Sequence, residues 1–281
     1  MKIRLENISF AYNSKLPMPH RALSDINLEI STGEAIGIIG PSGSGKTTLA
    51  LHFNGLLRPT AGTIYVDYQN IWDKKYPLRE LRRKVGLVFQ FPENQLFAET
   101  VASDVAFGLM SLQLSKAEID TRVNDALNLV GLSDEAIRFR SPHELSEGEK
   151  RRVAIAGVLA MSPEVLIMDE PTACLDPQGA NLILNMLKKL HEQGVTIIMI
   201  SHNMEAIAQL AERIIILQQG RIFFDGPKDD VFSTSEFLKP LGLAMPRIVH
   251  LCHYLRKKQL LVRPKIYTTE ALKAALANPT Q

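Results

Sequence analysis

The sequence lacks the features that mark several large classes of protein. Its two cysteines, Cys174 and Cys252, are too few and too far apart for a disulfide framework or a cysteine metal cluster. The net charge of +2 gives no reason to expect a nucleic-acid partner, which usually requires a strongly basic face. The longest apolar runs, residues 195–200 and 214–217, are far shorter than the roughly 20 residues that span a bilayer. We therefore expect a chain that does not itself cross a membrane.

The composition is that of an ordinary globular protein. Of the 281 residues, 46% are hydrophobic and 22% are charged, which allows one large domain or one domain with an appendage. Residues 35–39 form a short apolar, β-branched run that is typical of a buried parallel strand. A strand pattern at 165–168, a helical pattern at 180–193 and a strand pattern at 195–200 follow. This alternation predicts an α/β fold with a mostly parallel sheet and right-handed crossovers.

Helical patterns dominate the middle and the end of the chain. Ser115 and Glu118 have the spacing of a capping box, and apolar residues on one helical face follow them. Near the end of the chain the strand signals fade and helical spacing remains. We expect a main domain over 1–230 with a helical subdomain at about 95–160, and a small helical appendage over 231–281.

A phosphate-binding loop lies in the first third of the chain. Eight consecutive residues fit the pattern G-x-x-x-x-G-K-[ST] in full: Gly40, Pro41, Ser42, Gly43, Ser44, Gly45, Lys46 and Thr47. The loop follows an apolar strand and precedes a helix that we predict over 46–56. Glycines let backbone N–H groups turn inward as an anion nest, and the helix N-terminus adds its dipole. Lys46 would contact the β- and γ-phosphates of ATP, and Thr47 would offer its hydroxyl to Mg²⁺.

Two carboxylates supply what this loop needs for hydrolysis. Asp169 and Glu170 come directly after the apolar run at 165–168. We expect Asp169 to hold Mg²⁺ through water, because Mg²⁺ keeps much of its hydration shell. Glu170 would be the general base that polarises the attacking water. Acidic pairs at strand ends are often only solvated, but this pair completes a P-loop site.

Two polar side chains follow other apolar strands. His202 comes after the run at 196–201 and would sense the γ-phosphate and orient water, although a lone histidine there is more often a surface residue. Gln90 comes after residues 85–89, and its amide oxygen would reach the metal or the water. The predicted catalytic residues are therefore Glu170, His202, Gln90 and Lys46, and the predicted metal ligands are Thr47, Gln90 and Asp169.

In this order the motifs resemble those of the nucleotide-binding subunits of ABC transporters, over about residues 1–230. Residues 40–48, which include Thr48, are similar to the Walker A loop. Tyr12 resembles the aromatic residue that stacks on adenine, and a half-buried strand tyrosine is the ordinary alternative. The resemblance identifies Gln90 with the Q-loop glutamine, and it implies an α/β ATPase domain with an antiparallel β part and a helical subdomain.

The same resemblance covers the later motifs. Asp169 and Glu170 resemble the Walker B pair, and His202 resembles the switch histidine. Residues 145–149 stand where the family has its signature Leu-Ser-Gly-Gly-Gln. The family works as a dimer that closes on two ATP molecules, each held between the Walker loops of one chain and the signature of the other. The resemblance thus implies that Ser146 and Gly148 bind the partner's nucleotide.

A narrower resemblance rests on residues 89–97, Phe-Gln-Phe-Pro-Glu-Asn-Gln-Leu-Phe, which are similar to the Q-loop of energy-coupling factor ATPases. That group serves uptake of vitamins or of cobalt and nickel. Residues 54–60 and the pair 141–142 resemble its second ATPase subunit more than its first. The resemblance implies an ATP hydrolase at the cytoplasmic face of the cell membrane. Its partners would be a second ATPase subunit, in a heterodimer rather than a homodimer, an integral membrane coupling subunit and a substrate-binding membrane subunit.

The signature departs from the family pattern. Glu147 replaces a glycine, with loss of its backbone freedom, and Glu149 replaces a glutamine. Two acids near a triphosphate should repel it by about 1 kcal/mol or more each in a partly screened site. The ordinary interpretation is a well-capped helix, since Ser146 and Glu149 have capping-box spacing. Our hypothesis is that the composite site formed with this signature is the weaker of two. Cys174 also stands where the D-loop usually has glycine, and we expect little effect there.

Two other functions compete with a transporter motor. A soluble ABC ATPase acting on ribosomes or nucleic acid typically carries two cassettes or a long coiled-coil insertion, and neither is present in the sequence. A weakly hydrolysing structural partner in a heterodimer would suit the altered signature. Glu170 and His202 argue against full inactivity. Recovery with integral membrane proteins would distinguish a transporter subunit from a soluble ATPase, and the sequence does not name the cargo.

Overall fold

The computed structural model describes residues 1–13, 18, 20–233, 237–260 and 265–277 of the chain. Within these ranges two β-sheets are surrounded by helices, which confirms the predicted α/β fold with a mostly parallel sheet and an antiparallel part. Every helix in these ranges is too short or too polar to traverse a lipid bilayer.

Within the described ranges, ten strands form the two sheets. In chain order they are β1 (Ile3–Tyr12), β2 (His20–Ile30), β3 (Ala35–Ile39), β4 (Ala61–Val66), β5 (Gln69–Asn70), β6 (Val85–Val88), β7 (Val165–Asp169), β8 (Thr196–Ile200), β9 (Arg213–Gln218) and β10 (Arg221–Pro227). The larger sheet has the order β10-β9-β3-β8-β7-β6, and the smaller has the order β2-β1-β4-β5. Pairing in the larger sheet is parallel except between β9 and β10, whereas the smaller sheet is antiparallel throughout.

The central strands of the larger sheet are covered on both faces. Every residue of β3, β7 and β8 is buried, as expected for parallel strands packed between layers. Their apolar, mostly β-branched sequences explain the strand conformation, because such side chains pack well on a pleated surface. Two large apolar clusters flank the sheet, one shared with the smaller sheet and one with the helical layer. This rigid layer fixes where the strand ends lie.

Ten α-helices lie in the described ranges. In chain order they are α1 (Lys46–Phe53), α2 (Leu78–Lys84), α3 (Val101–Ala106), α4 (Lys116–Leu129), α5 (Glu147–Leu159), α6 (Pro177–Glu192), α7 (Met204–Leu210), α8 (Lys228–Ser233), α9 (Arg247–Lys257) and α10 (Thr269–Ala277). The helix predicted over 46–56 ends earlier, at Phe53, because Asn54 caps it and Gly55 turns into the left-handed region at φ +65°.

Helices α3, α4 and α5 pack against one another beside the larger sheet. The predicted capping box at Ser115 is confirmed, with both reciprocal hydrogen bonds to Glu118. Val105, Val123 and Val153 contribute one buried apolar residue from each helix to the core. These helices occupy the region predicted as the helical subdomain at about 95–160, and the boundaries themselves stay a prediction.

Polar contacts at Asp229 and Glu205 join the described end of the chain to the preceding part of the structure. The hydroxyl of Tyr267 donates to Asp229 of α8, and Lys265 lies 2.7 Å from the other carboxylate oxygen. Cys252 of α9 and Leu272 of α10 pack together in a small apolar cluster. The helices match the predicted helical appendage, and its boundaries, 231–281, stay a prediction because several of these residues lie outside the described ranges.

Candidate nucleotide site

The carboxyl ends of three neighbouring strands bring the predicted site together. β3 leads into the P-loop at Gly40, β7 ends at Asp169, and β8 is followed by Ser201. Asp169 pairs in register with Ile200, and β8 lies between β7 and β3. Because neighbouring parallel strands end at the same edge of the sheet, residues far apart in sequence meet there.

Two glycines of the P-loop stand where a side chain would collide with backbone. At Gly40, with φ +150°, a Cβ would lie 2.1 Å from the carbonyl oxygen of Leu217. At Gly45, with φ +102°, it would lie 2.6 Å from the carbonyl oxygen of Ala22. A Cβ on Gly43 would meet nothing within 4 Å, so the tip of the loop is open. The tight base and open tip suit a loop that presents its N–H groups to an anion.

Polar side chains complete the cradle. Lys46 Nζ donates to the carbonyl oxygens of Gly40 and Pro41, both at 2.9 Å, and so closes the loop on itself. Burial lowers the pKa of Lys46, and nearby carboxylates oppose that shift. The hydroxyl of Ser44 is buried without a hydrogen-bond partner among the described residues. A half-buried lysine and a buried, unpaired hydroxyl in this glycine-rich loop fit the phosphates of a nucleotide.

Thr47 and Asp169 form the predicted metal pair. Thr47 Oγ1 donates to Asp169 Oδ2 at 2.6 Å. Burial raises the pKa of Asp169, and the hydrogen bond from Thr47 offsets part of that shift. A hydroxyl and a carboxylate this close offer the hard oxygen ligands that Mg²⁺ prefers. The two residues therefore fit a Mg²⁺ site at the start of α1.

Glu170 is held by three donors on the neighbouring strand end. Ser201 Oγ donates to Oε2 at 2.9 Å, while the backbone N–H of His202 and its ring Nδ1 donate to Oε1 at 2.9 and 2.7 Å. The Glu170 backbone lies in the left-handed region, at φ 51°, which is uncommon for a non-glycine residue. The carboxylate is thus oriented by its neighbours. Glu170 directly follows Asp169 in the chain, and its charge is near enough to act on the pKa of both Asp169 and Lys46.

The structure assigns different surroundings to the two remaining nucleotide-site candidates. Tyr12 ends β1, and its hydroxyl shares a hydrogen bond with Thr48 Oγ1 at 3.2 Å, while its ring meets Phe10 edge-on. The hydrogen bond therefore holds Tyr12 beside α1, with part of its ring exposed. Gln90 is exposed just beyond the end of β6, next to β7 in the sheet. The stacking role of Tyr12 and the metal-binding role of Gln90 stay predictions.

The signature residues lie in a separate depression. Ser146, Gly148, Arg151, Cys174 and Asp176 line a cavity of about 500 Å³. Among the described residues, those that line this cavity include residues of the signature helix α5 and of the turn after β7, and none comes from residues 40–48. The role of this signature toward a nucleotide bound to another chain stays a prediction.

Both acidic replacements in the signature make local contacts. Glu149 Oε2 accepts from the Ser146 hydroxyl at 2.7 Å and from the Ser146 N–H at 2.9 Å, which completes the expected capping box. These bonds lower the pKa of Glu149, and Arg152 adds to the effect. Glu147 lies 2.8 Å from Lys150 one turn further along the helix. The signature serine is therefore engaged by a carboxylate of its own helix.

The backbone differs between the two positions where the family usually has glycine. Glu147 is the first residue of α5 and does not adopt a positive φ, so the loss of glycine's freedom costs nothing there. Cys174 does adopt one, at φ 59°, because the turn after β7 reverses at that point. A non-glycine residue in this conformation carries backbone strain of order 1 kcal/mol, and the expectation of little effect at Cys174 stays a prediction.

Two residues that hold the site were not found from sequence. Ser201 is fully buried and donates to Glu170, and Arg151 is buried and donates to backbone carbonyl oxygens of Glu170 and Ala173. The position of Ser201 directly before His202, at a strand end, is the one signal that pointed to it. Arg151 has no such signal, because its contacts depend on how α5 packs on the turn.

Several known proteins are similar to this chain in sequence and structure. A family profile described as ABC transporter matches residues 23–173, which contain the P-loop, the start of α5 and the two carboxylates. The chain is 38% identical to the solved structure of cbiO1 from Clostridium perfringens, described as part of the ABC transporter complex cbiONQ, with TM-score 0.74 over 89% of this chain and 98% of that one. It is 33% identical to the ATP-binding cassette MJ0796 in a post-hydrolysis dimer bound to ADP and Pi, with TM-score 0.73 over 80% of this chain and 98% of that one. The fold and site are those of an ATP-binding cassette, a class that binds ATP with Mg²⁺ and hydrolyses it.

Curated proteins of similar sequence identify one family within this class. The chain is 48% identical to the energy-coupling factor transporter ATP-binding protein EcfA2 of Clostridium tetani, over 98% of this chain and 96% of that one. It is 49% identical to the protein of the same name from Caldanaerobacter subterraneus subsp. tengcongensis, over 97% and 96%. The chain belongs to the family of energy-coupling factor transporter ATP-binding proteins.

Proposed function

We propose that this chain is the ATP-hydrolysing motor subunit of an energy-coupling factor importer for vitamins or transition-metal ions. The observation that carries the proposal is the placement of Glu170, held by Ser201 and His202, beside the Thr47–Asp169 pair at the P-loop edge. Relatives named energy-coupling factor transporter ATP-binding proteins support the type of transporter. The protein would lie on the cytoplasmic face of the cell membrane, bound to integral membrane partners.

The geometry of the site supports the following course of hydrolysis. The P-loop amides and Lys46 hold the triphosphate, and Glu170 accepts a proton from the water whose oxygen attacks the γ-phosphorus. The bond between that phosphorus and the bridging oxygen breaks, and ADP leaves with the bond's electrons. Mg²⁺ held by Thr47, Asp169 and Gln90 would supply positive charge against the phosphate oxygens. His202, already bonded to Glu170, keeps the carboxylate oriented and contacts the γ-phosphate.

A second ATPase subunit is the proposed partner in a heterodimer. Ser146 and Gly148 at the start of α5 would meet its nucleotide, and its signature would meet the nucleotide on this chain's P-loop. A hydrogen bond now joins Ser146 to the Glu149 carboxylate, so the partner's γ-phosphate must compete with a negative charge for that hydroxyl. This observation favours a weaker site at this signature, and thus a subunit that hydrolyses ATP mainly at its own P-loop.

Exposed aromatic side chains beside the Q-loop suit contact with a membrane subunit. Phe97 and Phe107 pack edge-to-face at 4.8 Å between ring centroids, and both are more than half exposed. Phe91 nearby has φ 57° and is also exposed, whereas Leu96 packs partly against the core. Burial of such rings by a helix of the membrane subunit would link closure of the ATPase dimer to transport.

Purification of the native complex tests the function directly. The chain should be recovered with a second ATPase and with integral membrane proteins, and the reconstituted complex should take up cargo only with hydrolysable ATP. Lys46→Ala should abolish uptake, whereas Lys74→Ala, at a lysine outside the P-loop, should not. Recovery with ribosomes or nucleic acid, and without membrane proteins, would contradict the transporter role.

A further inference from the structure

Arg151 is a buried cation whose acceptors are backbone oxygens. It lies in the second turn of α5, is 3% exposed, and donates from Nη2 to the carbonyl oxygen of Glu170 at 3.1 Å. Its Nη1 donates to the carbonyl oxygen of Ala173. Burial of a guanidinium is unfavourable unless its donors are used, and Nε of Arg151 is buried without a hydrogen-bond partner among the described residues. The two backbone carbonyls are therefore the acceptors that offset the burial of this cation, and the two hydrogen bonds hold them in place.

The two carbonyls belong to the turn that carries the general base. Glu170 and Cys174, at either end of this turn, both adopt positive φ, at 51° and 59°. Conformations of this kind persist only when surrounding contacts hold them. The N–H of Glu170 donates to Ile200 O at 2.8 Å, and its carbonyl accepts from Arg151. The backbone of Glu170 is therefore held from the sheet on one side and from α5 on the other.

Arg151 also joins two sites that serve different nucleotides. It follows Ser146, the cap of α5, by little more than one helical turn, and the cavity at the helix start includes both residues and Cys174. A helix moves as a rigid unit over such a distance, so a shift of its start also shifts the guanidinium. The carbonyls of Glu170 and Ala173 would move with it.

We propose that Arg151 is a positioning residue. Through it, hydrolysis by Glu170 depends on whether the partner's nucleotide engages the signature helix α5 of this chain. The inference rests on the proposed function, because it requires a second ATPase subunit. Arg151 donates to the backbone carbonyls of Glu170 and Ala173 and not to the Glu170 carboxylate. Its loss should therefore lower kcat without weakening ATP binding.

The test compares Arg151→Met, which keeps much of the side-chain volume and removes the donors, with Arg151→Lys, which keeps the charge and a smaller set of donors. Both are assembled with the native partner subunits, and kcat and KM for ATP are measured. We expect Arg151→Met to lower kcat on the order of 10–100-fold, as for a misplaced catalytic group, with KM within about twofold. Arg151→Lys should recover part of the loss. Arg82→Met, which removes an arginine donating to the Gly55 carbonyl, is the matched control and should keep wild-type kcat.

Two further measurements separate positioning from simple destabilisation. The midpoint of urea unfolding is recorded for each variant, and a reduced kcat in Arg151→Lys with an unchanged midpoint supports positioning. The kcat is also measured with a partner subunit whose own catalytic carboxylate has been removed, so that Glu170 carries the turnover. Wild-type kcat in Arg151→Lys and in any Arg151→Met that folds would overturn the inference. An inactive wild-type complex, or full activity in Glu170→Gln, would instead overturn the proposed function.

Discussion

The carboxylate of Glu170 and the ring of His202 are joined at 2.7 Å, although their environments differ greatly. The Glu170 side chain is 11% exposed and the His202 side chain is 72% exposed. The bond therefore links a buried base to a group that solvent or a ligand can reach directly. A γ-phosphate that contacts His202 would act on the same residue that orients Glu170.

Glu170→Gln should remove hydrolysis and preserve nucleotide binding. The amide keeps the shape of the side chain but accepts no proton, so we expect kcat to fall by roughly 100-fold or more, the usual contribution of a general base. Steady-state ATPase assays and equilibrium ATP binding on the assembled complex measure the two effects. Glu164→Gln, at a surface carboxylate paired with Lys84 before β7, is the control and should leave both unchanged.

Asp169→Asn should raise the Mg²⁺ concentration needed for activity. The replacement removes the negative charge beside Thr47. Half-maximal ATPase activity should therefore require a Mg²⁺ concentration that is higher by about tenfold or more. Titration of Mg²⁺ at fixed ATP measures the shift. An Asp120→Asn variant, which changes an exposed carboxylate paired with Arg138, should retain the wild-type Mg²⁺ dependence. An unchanged titration in Asp169→Asn would exclude the assigned metal role.

Tyr12→Ala should weaken ATP binding if the ring stacks on adenine. Stacking of a base on an aromatic ring contributes about 1–3 kcal/mol, so KM should rise by about tenfold or more. Tyr12→Phe keeps the ring and loses only the hydrogen bond to Thr48, and should stay within a few-fold of wild type. Equal defects in both variants would show that the hydroxyl matters rather than the ring. Tyr68→Ala, at an exposed tyrosine in the turn between β4 and β5, is the control.

Glu147→Gly with Glu149→Gln should increase the ATPase rate of the assembled complex. The exchange removes two charges near the partner's nucleotide, each unfavourable by about 1 kcal/mol in a partly screened site. Rates at saturating ATP should rise a few-fold, and the increase should shrink at high salt. An unchanged rate would mean that the carboxylates, bonded to Ser146 and Lys150, do not reach the nucleotide.

Stability should fall at acidic pH because of His52. This residue is fully buried on α1, its Nδ1 donates to Thr48 O at 2.7 Å, and burial lowers its pKa. Below about pH 6.5, the usual pKa of histidine, the unfolded chain therefore binds more protons at this position than the folded chain does. The contribution to stability that is present at neutral pH is lost as the pH falls. The slope attributable to His52 is at most about 1.4 kcal/mol per pH unit. Urea unfolding between about pH 7.5 and 5.5 should show a smaller loss in His52→Leu than in the wild type or in His143→Gln.

Sequence patterns were sufficient wherever a local motif carries the chemistry. The P-loop, the two carboxylates at the end of β7 and the capping box at Ser115 each follow from residue type and spacing over a few positions. Strands such as β9 and β10 were missed, since the apolar run at 214–217 does not by itself distinguish strand from helix. The contacts of Arg151 were out of reach for another reason, because they join residues that only the packing of α5 on the turn after β7 brings together.

The contact between Asp229 and Tyr267 bears on how the protein can be handled. A chain shortened after residue 233 would leave this carboxylate without two of its donors and would uncover Phe232, which packs near the Tyr267 ring. Shortening the chain there would thus damage the surface of the ATPase layers themselves. Affinity tags and fluorescent fusions are therefore better attached beyond α10 than in place of it.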